Sequence, residues 1–382
     1  MPDPIRRRAL ISVAAAPLLL AAVAALPGAA LANVYDDDGV LSGLVFTSSN
    51  DASGNTLLVY ARGADGTLSL WRALPTGGVG SGAGLGSQGA VTLSGNGRSL
   101  YVVNAGSNTV STFRLAGREI ALASVVDSGG LHPISVAEHD RLVVVLNDGG
   151  AGNVAALRDE RGTLLPVAGS SRPLSTAGGA APAQVAFDSD GRVLVVSEKG
   201  TNRLVSWSVG PGDAIGARTV SASPGQTPFG FAVTTNSRIV VSEAWGGAPG
   251  ASTVSSWRFD PSTGREPRVV SSALANGQSA SCWVSATPDG RHAFVSNTGS
   301  ANLSRYEIGA DGSLTLAEGI AASTGAGSAP ADSAIAPNGR TLHVRNGRTF
   351  TIASYAIDRD GRLGPARFVG GLPANAVGLA AN

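Results

Sequence analysis

The sequence predicts an all-β protein, a seven-bladed β-propeller with four antiparallel strands per blade, and three observations carry that expectation. A short apolar run ending in a small polar residue recurs seven times at a spacing of roughly 50 residues, near the periods of propeller repeats. Asn-Gly or Asp-Gly pairs stand before four of the runs and supply the positive φ that a tight hairpin needs. The chain also starts and stops out of phase, with a blade missing its first strand at one end and a lone strand at the other.

In chain order the runs are Val45-Phe46-Thr47-Ser48, Tyr101-Val102-Val103-Asn104, Val144-Val145-Leu146-Asn147, Val195-Val196-Ser197-Glu198, Val240-Val241-Ser242-Glu243, Phe294-Val295-Ser296-Asn297 and His343-Val344-Arg345-Asn346. Such short β-branched stretches, bounded by Gly, Asn and Asp, read as strands. The fourth repeat shows the full unit. Its first strand is Ala183 to Phe187, its turn Ser189-Asp190-Gly191-Arg192, its second strand Val193 to Ser197, its third Arg203 to Val209, and a weaker fourth lies near Ala217 to Ser221. The other turn pairs are Asn96-Gly97, Asp289-Gly290 and Asn338-Gly339. A unit of this kind cannot bury both faces alone and must stack on its neighbours. The closing segment, Ala374 to Leu379, completes the blade that begins at its second strand near Leu44, which removes the open edge of the ring. A pair of β-sandwiches would leave that complementarity unexplained.

Composition agrees. Of 382 residues 43% are hydrophobic and only 14% charged, with 52 glycines and 20 prolines. That is too apolar for a disordered chain and suits a turn-rich β-protein. Residues 1–32 have the three parts of a secretory signal: Arg6-Arg7-Arg8, an apolar stretch from Ala9 to Leu26, and Ala30-Leu31-Ala32 before the cleavage point. An uncleaved membrane anchor is the competing reading of the same stretch. The expected mature protein is a tail over 33–43 and one propeller over 44–382, exported to the periplasm or beyond the cell. Cleavage leaves a net charge of −1, which argues against a nucleic-acid partner. A monomer is expected, free of the membrane once the signal is removed. The single cysteine, Cys282, excludes an internal disulfide and reads as a small buried apolar residue. Lys199 is the only lysine.

Propeller connectivity puts the loops between second and third strands, and those joining blades, on one face, and the Gly turns on the other. The first face carries the unusual loops and is the expected site; the turn face reads as scaffold. Glu198 and Glu243 share one repeat position in adjacent blades, where an acid/base pair could form. Arg203 could clamp a carboxylate or phosphate. His132 is the histidine at the mouth, and Arg172, Lys199, Asn202, Phe229, Trp245, Gln278 and Trp283 stand on the same loops or inner strands. The inner strands place Ala90, Ser135, Gln184, Gly230, Trp283, Asp332 and Asn375 toward the bore, where Gln184 and Asp332 could hold a small polar ligand or water. No histidines have metal-ligand spacing, so neither a metal nor a cofactor is expected. The Gly77 to Gly89 run lacks a following Lys-Ser/Thr and reads as a flexible loop, not a phosphate cradle. Asp36-Asp37-Asp38 lacks the spacing of a calcium loop.

The phrase Tyr101-Val-Val-Asn-Ala-Gly-Ser-Asn108-Thr-Val110 resembles the repeat of the lactonase family, seven-bladed propellers that include bacterial 6-phosphogluconolactonase and fungal carboxymuconate cyclase. Ser171-Arg-Pro-Leu-Ser175, Ser197-Glu-Lys-Gly-Thr-Asn202, Thr227-Pro-Phe-Gly-Phe231, Ser242-Glu243-Ala244 and Asn276-Gly-Gln278 with Cys282-Trp283 resemble an exported bacterial branch. The resemblance spans about 40 to 382 and implies a channel-mouth pocket of His, Arg and Glu. Glu243 aligns with the family glutamate and Arg203 with one arginine. Ala183 stands in place of the histidine, and Phe229 and Thr298 in place of two further arginines. The leading expectation is an exported hydrolase of a small lactone or sugar-acid-like ligand, with Glu243 as base and Arg203 as clamp. The competing one is an inactive propeller that binds a small ligand or a protein partner through Phe229, Trp245 and Trp283.

Overall fold

A computed structural model describes residues 43–63, 66–116, 119–235, 237–260 and 265–382. The signal and nearly all of the tail therefore lie outside the described residues. Seven sheets form the ring, each antiparallel and ordered from the bore outward. Blade one consists of Val377–Ala381, Leu44–Ser48, Thr56–Arg62 and Leu68–Pro75. The inner strands of blades two to seven are Val91–Leu93, Pro133–His139, Pro182–Phe187, Pro228–Thr234, Ser281–Ala286 and Pro330–Ile335. Their second strands are Ser99–Asn104, Leu142–Asn147, Val193–Glu198, Arg238–Glu243, Thr341–Asn346 in blade seven and His292–Asn297 in blade six. Blade three alone adds a two-residue strand, Arg172–Pro173, beside Asn153 and Val154.

The apolar runs become second strands because they are sandwiched on both faces by neighbouring blades. Those of blades three and six are buried along their whole length. Each buried Val or Leu contributes about 1.5–3 kcal/mol relative to exposure. The outermost strands alternate buried and exposed residues, since only one side meets a neighbour. At the turns, Gly97, Gly191, Gly290 and Gly339 all take φ between 67 and 70°, and each N–H donates back three residues, to Ser94, Asp188, Thr287 and Ala336. The Asn-Gly and Asp-Gly pairs work as the sequence implied.

Ring closure is also as expected. Val45 pairs with Ala381 and Phe46 with Ala380, while Leu44 N donates to Asn382 Oδ1 at 2.9 Å. Thr47 Oγ1 donates to Gly378 O at 2.7 Å, fastening the same joint from its side chain.

One expectation is overturned. The glycine-rich segment ending at Gly89 is no loose loop; its tip fills the bore. Gln88 N donates to Ala183 O (2.9 Å) in blade four, and Gln88 O accepts from Ser135 Oγ (2.7 Å) in blade three. The Gln88 side chain crosses to blade six, where Nε2 donates to Val284 O (2.8 Å) and Oε1 accepts from Val284 N (3.1 Å). Ser87 Oγ donates to Ile134 O (2.8 Å), and Ser87 O accepts from Trp283 Nε1 (2.9 Å). Gly230 is what makes room: a Cβ there would lie 2.1 Å from Gln88 Oε1. Composition alone does not separate the two cases, because glycine's freedom serves a tightly threaded segment as well as a mobile one.

Candidate functional site at the loop face

From blade three to blade seven the loop face repeats one small construction. The residue after each second strand donates its N–H to the carbonyl of the residue just before that blade's inner strand. These pairs are Asp148 to His132 (3.2 Å), Lys199 to Ala181 (3.1 Å), Ala244 to Thr227 (3.0 Å), Thr298 to Ala280 (2.9 Å) and Gly347 to Ala329 (2.9 Å). All five acceptors are non-glycine residues at positive φ, between 44 and 57°. A left-handed residue at this point turns the incoming chain sharply into the inner strand, at a steric cost that the repeated hydrogen bond offsets. The construction lines the mouth with ten positions, and its charged groups gather in blades three and four: His132, Asp148 and Lys199.

His132 Nδ1 and Asp148 Oδ1 are 2.5 Å apart, with 40% and 29% of their side chains exposed. The hydrogen bond to Asp148 raises the pKa of His132, against a smaller opposing effect of burial. The left-handed backbone of His132 is held by its own N–H, which donates to Asn108 Oδ1 at 2.7 Å. Asn202 does the same two blades on, its Oδ1 accepting from Thr227 N at 2.7 Å.

Lys199 reaches over the plug, its Nζ donating to Gly86 O at 2.5 Å and lying 4.6 Å from the centre of the Phe229 ring. Burial lowers its pKa, partly countered by Asp148 and Cys282. Phe229 tilts against Trp283, with ring centres 4.9 Å apart, and both belong to an apolar cluster with Ala183, Ala244, Cys282 and Ala331. Burial pushes the Cys282 thiol up to about 12, so it is an inert thiol at neutral pH, as its small apolar role implied.

The two glutamates are a correction. The expected acid/base pair is not assembled, because each carboxylate is fully buried in its own set of donors. Glu243 accepts from Thr253 Oγ1 (2.5 Å), Ser255 Oγ (2.6 Å) and Ser223 Oγ (3.1 Å), and a Cβ on Gly225 would come within 2.2 Å of it. Glu198 accepts from Ser175 N (2.8 Å), from Ser175 Oγ and from Thr201 Oγ1 (2.6 Å). Where other blades have Asn, the same position ties the same loops: Asn297 donates to Asn302 Oδ1 (2.7 Å) and Ser304 Oγ (2.8 Å). Arg203 does not meet Glu243. It is exposed, paired in register with Glu198 and Ala222, and among the described residues no hydrogen bond or ion pair joins it to Glu243.

Other expected ligand residues are also spent on the scaffold. Arg172 gives its guanidinium to the carbonyls of Gly169 (2.7 Å), Ser171 (2.9 Å), Gly216 (3.4 Å) and Ile215, clamping blade three to blade four. Gln184 bridges to the next inner strand, donating to Phe231 O (2.9 Å) and accepting from Phe231 N (2.6 Å). Asp332 is buried against Arg345 (3.1 Å). Gln278 accepts from Asn302 Nδ2 at 2.8 Å, and Trp245 Nε1 donates to Thr253 Oγ1 at 2.9 Å, though both remain partly exposed.

Asp148, Ser87 and Gln88 are the residues that sequence reasoning missed. Asp148 had a signal: it follows Asn147 as Lys199 follows Glu198, so the repeat places opposite charges side by side. The turn face is less plain than expected, with inter-blade clefts of about 520 Å³ near Asp289, Arg291 and His292 and about 650 Å³ near Glu138, His139 and Arg141. They are open furrows between turns, and Arg291 is already paired with Asp289 at 2.7 Å. Among the described residues no cluster of His, Cys, Asp or Glu could hold a metal ion.

Residues 250–369 match the family model described as lactonase, 7-bladed beta-propeller. No curated protein matches the sequence as a relative. Among solved structures, a candidate 6-phosphogluconolactonase from Bacteroides uniformis has a TM-score of 0.66 at 17% identity, over 87% of this chain and 98% of that one. A second candidate 6-phosphogluconolactonase, from Bacteroides fragilis, gives 0.65 at 18% over 88% and 97%. A periplasmic gluconolactonase from Pseudomonas aeruginosa gives 0.64 at 20% over 87% and 98%. At these identities the likeness is one of fold. With the ring closed by its last strand, the chain is a seven-bladed β-propeller, and the part of it that matches the lactonase model runs from the outer strands of blade five through blade seven.

Proposed function

We propose that this propeller is exported and hydrolyses a small lactone at its loop face, with His132 as the base and Asp148 as the group that orients it. The observation that carries this is the half-exposed His132–Asp148 pair beside Lys199 at the mouth. Asp148 engages Nδ1, so the unused Nε2 is the nitrogen that takes a proton from water. The resulting hydroxide adds to the lactone carbonyl carbon. Collapse of the tetrahedral species breaks the ring C–O bond, and the imidazolium returns its proton to the departing alkoxide, giving the open hydroxy acid. Glu243 and Arg203, the sequence-based choices, have no part in this scheme. The amino-terminal arginines, apolar stretch and Ala30-Leu31-Ala32 support export, which cell fractionation tests.

A second function, ligand capture without turnover, is favoured by the occluded bore and by the saturated Glu243. A lactone panel separates the two. His132→Asn keeps a residue that accepts positive φ, so the fold survives while the base is lost. The expected result is a fall of about 10²–10⁴ in kcat/KM. Absence of turnover by the unaltered protein, with measurable lactone binding, would establish capture instead.

A further inference from the structure

The mouth holds one group that the proposed hydrolysis does not use, and it is the only lysine in the chain. We propose that Lys199 is a nucleophilic amine that captures small aldehydes or ketones as a Schiff base at the loop face. This rests on the loop face being where small molecules bind, but not on any hydrolysis there.

The setting supports it from several directions. Lys199 is partly exposed at the mouth. Its Nζ is aimed by two fixed contacts, the Gly86 carbonyl at 2.5 Å and the Phe229 ring at 4.6 Å. Gly86 belongs to the plug, and the plug is locked to blades three, four and six by Ser87 and Gln88, so the acceptor cannot drift. Phe229 and Trp283, both buried and 4.9 Å apart between ring centres, form a dry apolar wall beside the amine. The charged and titratable groups facing Lys199 are few: Asp148 from blade three, itself engaged by His132, and Cys282 from blade six. Phe229 and Asp148 favour the ammonium, but burial is the larger effect and favours the neutral amine that a nucleophile must be.

The step balances without an oxidant or reductant. The Nζ lone pair adds to the carbonyl carbon as the C=O π pair moves to oxygen, and a proton shifts from nitrogen to that oxygen. The carbinolamine then expels its oxygen as one molecule of water, leaving C=N. Hydrolysis by the reverse path frees the ligand, so capture is reversible.

Because no other lysine competes, the test is direct. The full chain is incubated with benzaldehyde at neutral pH, reduced with borohydride and mapped by mass spectrometry against the urea-unfolded chain. The expected result is a benzyl adduct on the peptide containing Lys199 and none there in Lys199→Arg or Lys199→Met. In the folded protein its labelling should also persist to lower pH than in the unfolded chain. An unlabelled Lys199 in the folded protein, under conditions that label it when unfolded, overturns the proposal; so does labelling with the same pH dependence in both states. Lys199→Arg keeps a cation for Gly86 and Phe229, so a thermal melt near that of the parent separates lost reactivity from lost folding. Lactone turnover measured in parallel fails or survives independently: trapping without turnover sinks the hydrolase and leaves this site standing, and turnover without trapping does the reverse.

Discussion

Blades four and five carry charged residues at the ends of their second strands, and blades three and four carry charged residues one position later; the two sets have opposite fates. Glu198 and Glu243 are buried and surrounded by hydroxyl and backbone donors. Asp148 and Lys199, one residue further along, stand at the mouth with part of their surface open. A single step along an extended chain reverses the direction of the side chain, so neighbouring residues serve architecture and surface chemistry by turns. A carboxylate with its acceptor sites filled has nothing left for a substrate. A histidine held at one nitrogen still has the other.

The largest effect that would break this contrast is on catalysis. His132→Asn should cut lactone kcat/KM by about 10²–10⁴, whereas Glu243→Gln should leave turnover per folded molecule unchanged. The reverse result would return the base to Glu243. On stability the order inverts. Glu243→Ala strands the hydroxyls of Thr253, Ser255 and Ser223 in a buried pocket and should cost about 3 kcal/mol in denaturant melts, against a negligible change for His132→Asn. Gln88→Ala should cost less, about 1–2 kcal/mol, by removing the two-way bond to Val284 across the bore, and should increase proteolysis within 76–90.

The smallest effect is a pH dependence that ties the mouth's stability to its chemistry. Asp148 raises the pKa of His132, so the pair's stabilisation is complete below the ordinary histidine value and is lost as pH rises through the raised one. Partial exposure keeps that contribution small. The neutral ring that can act as base gains population over the same upper range, so turnover should climb as the stabilisation fades. Asp148→Asn should shift the pH–rate profile to lower pH, and an unmoved profile would exclude the pair from the rate.

Much of the ring was legible beforehand because its causes are local and repeated. Seven runs of β-branched residues, the glycines of the Asn-Gly and Asp-Gly turns, and an unpaired strand at the carboxyl end each speak through their own few residues. The site was less legible. Arg172 and Gln184 looked available because their partners, the carbonyls of Ile215 and Gly216 and the backbone of Phe231, lie more than 40 residues away. Nothing in the linear order of Phe229 and Lys199 shows that one lies over the other.

What the sequence determined by itself was the architecture, since strand period and turn chemistry act over a few residues, the apolar run recurs seven times, and the two chain ends are complementary in strand count. Tertiary structure alone decided that a glycine-rich stretch would stopper the bore, that two glutamates would be consumed as fastenings, and that His132 would find Asp148. Those outcomes depend on which donors and acceptors the closed ring brings within about 3 Å of one another, and hydrogen bonding at that range has no counterpart in linear order.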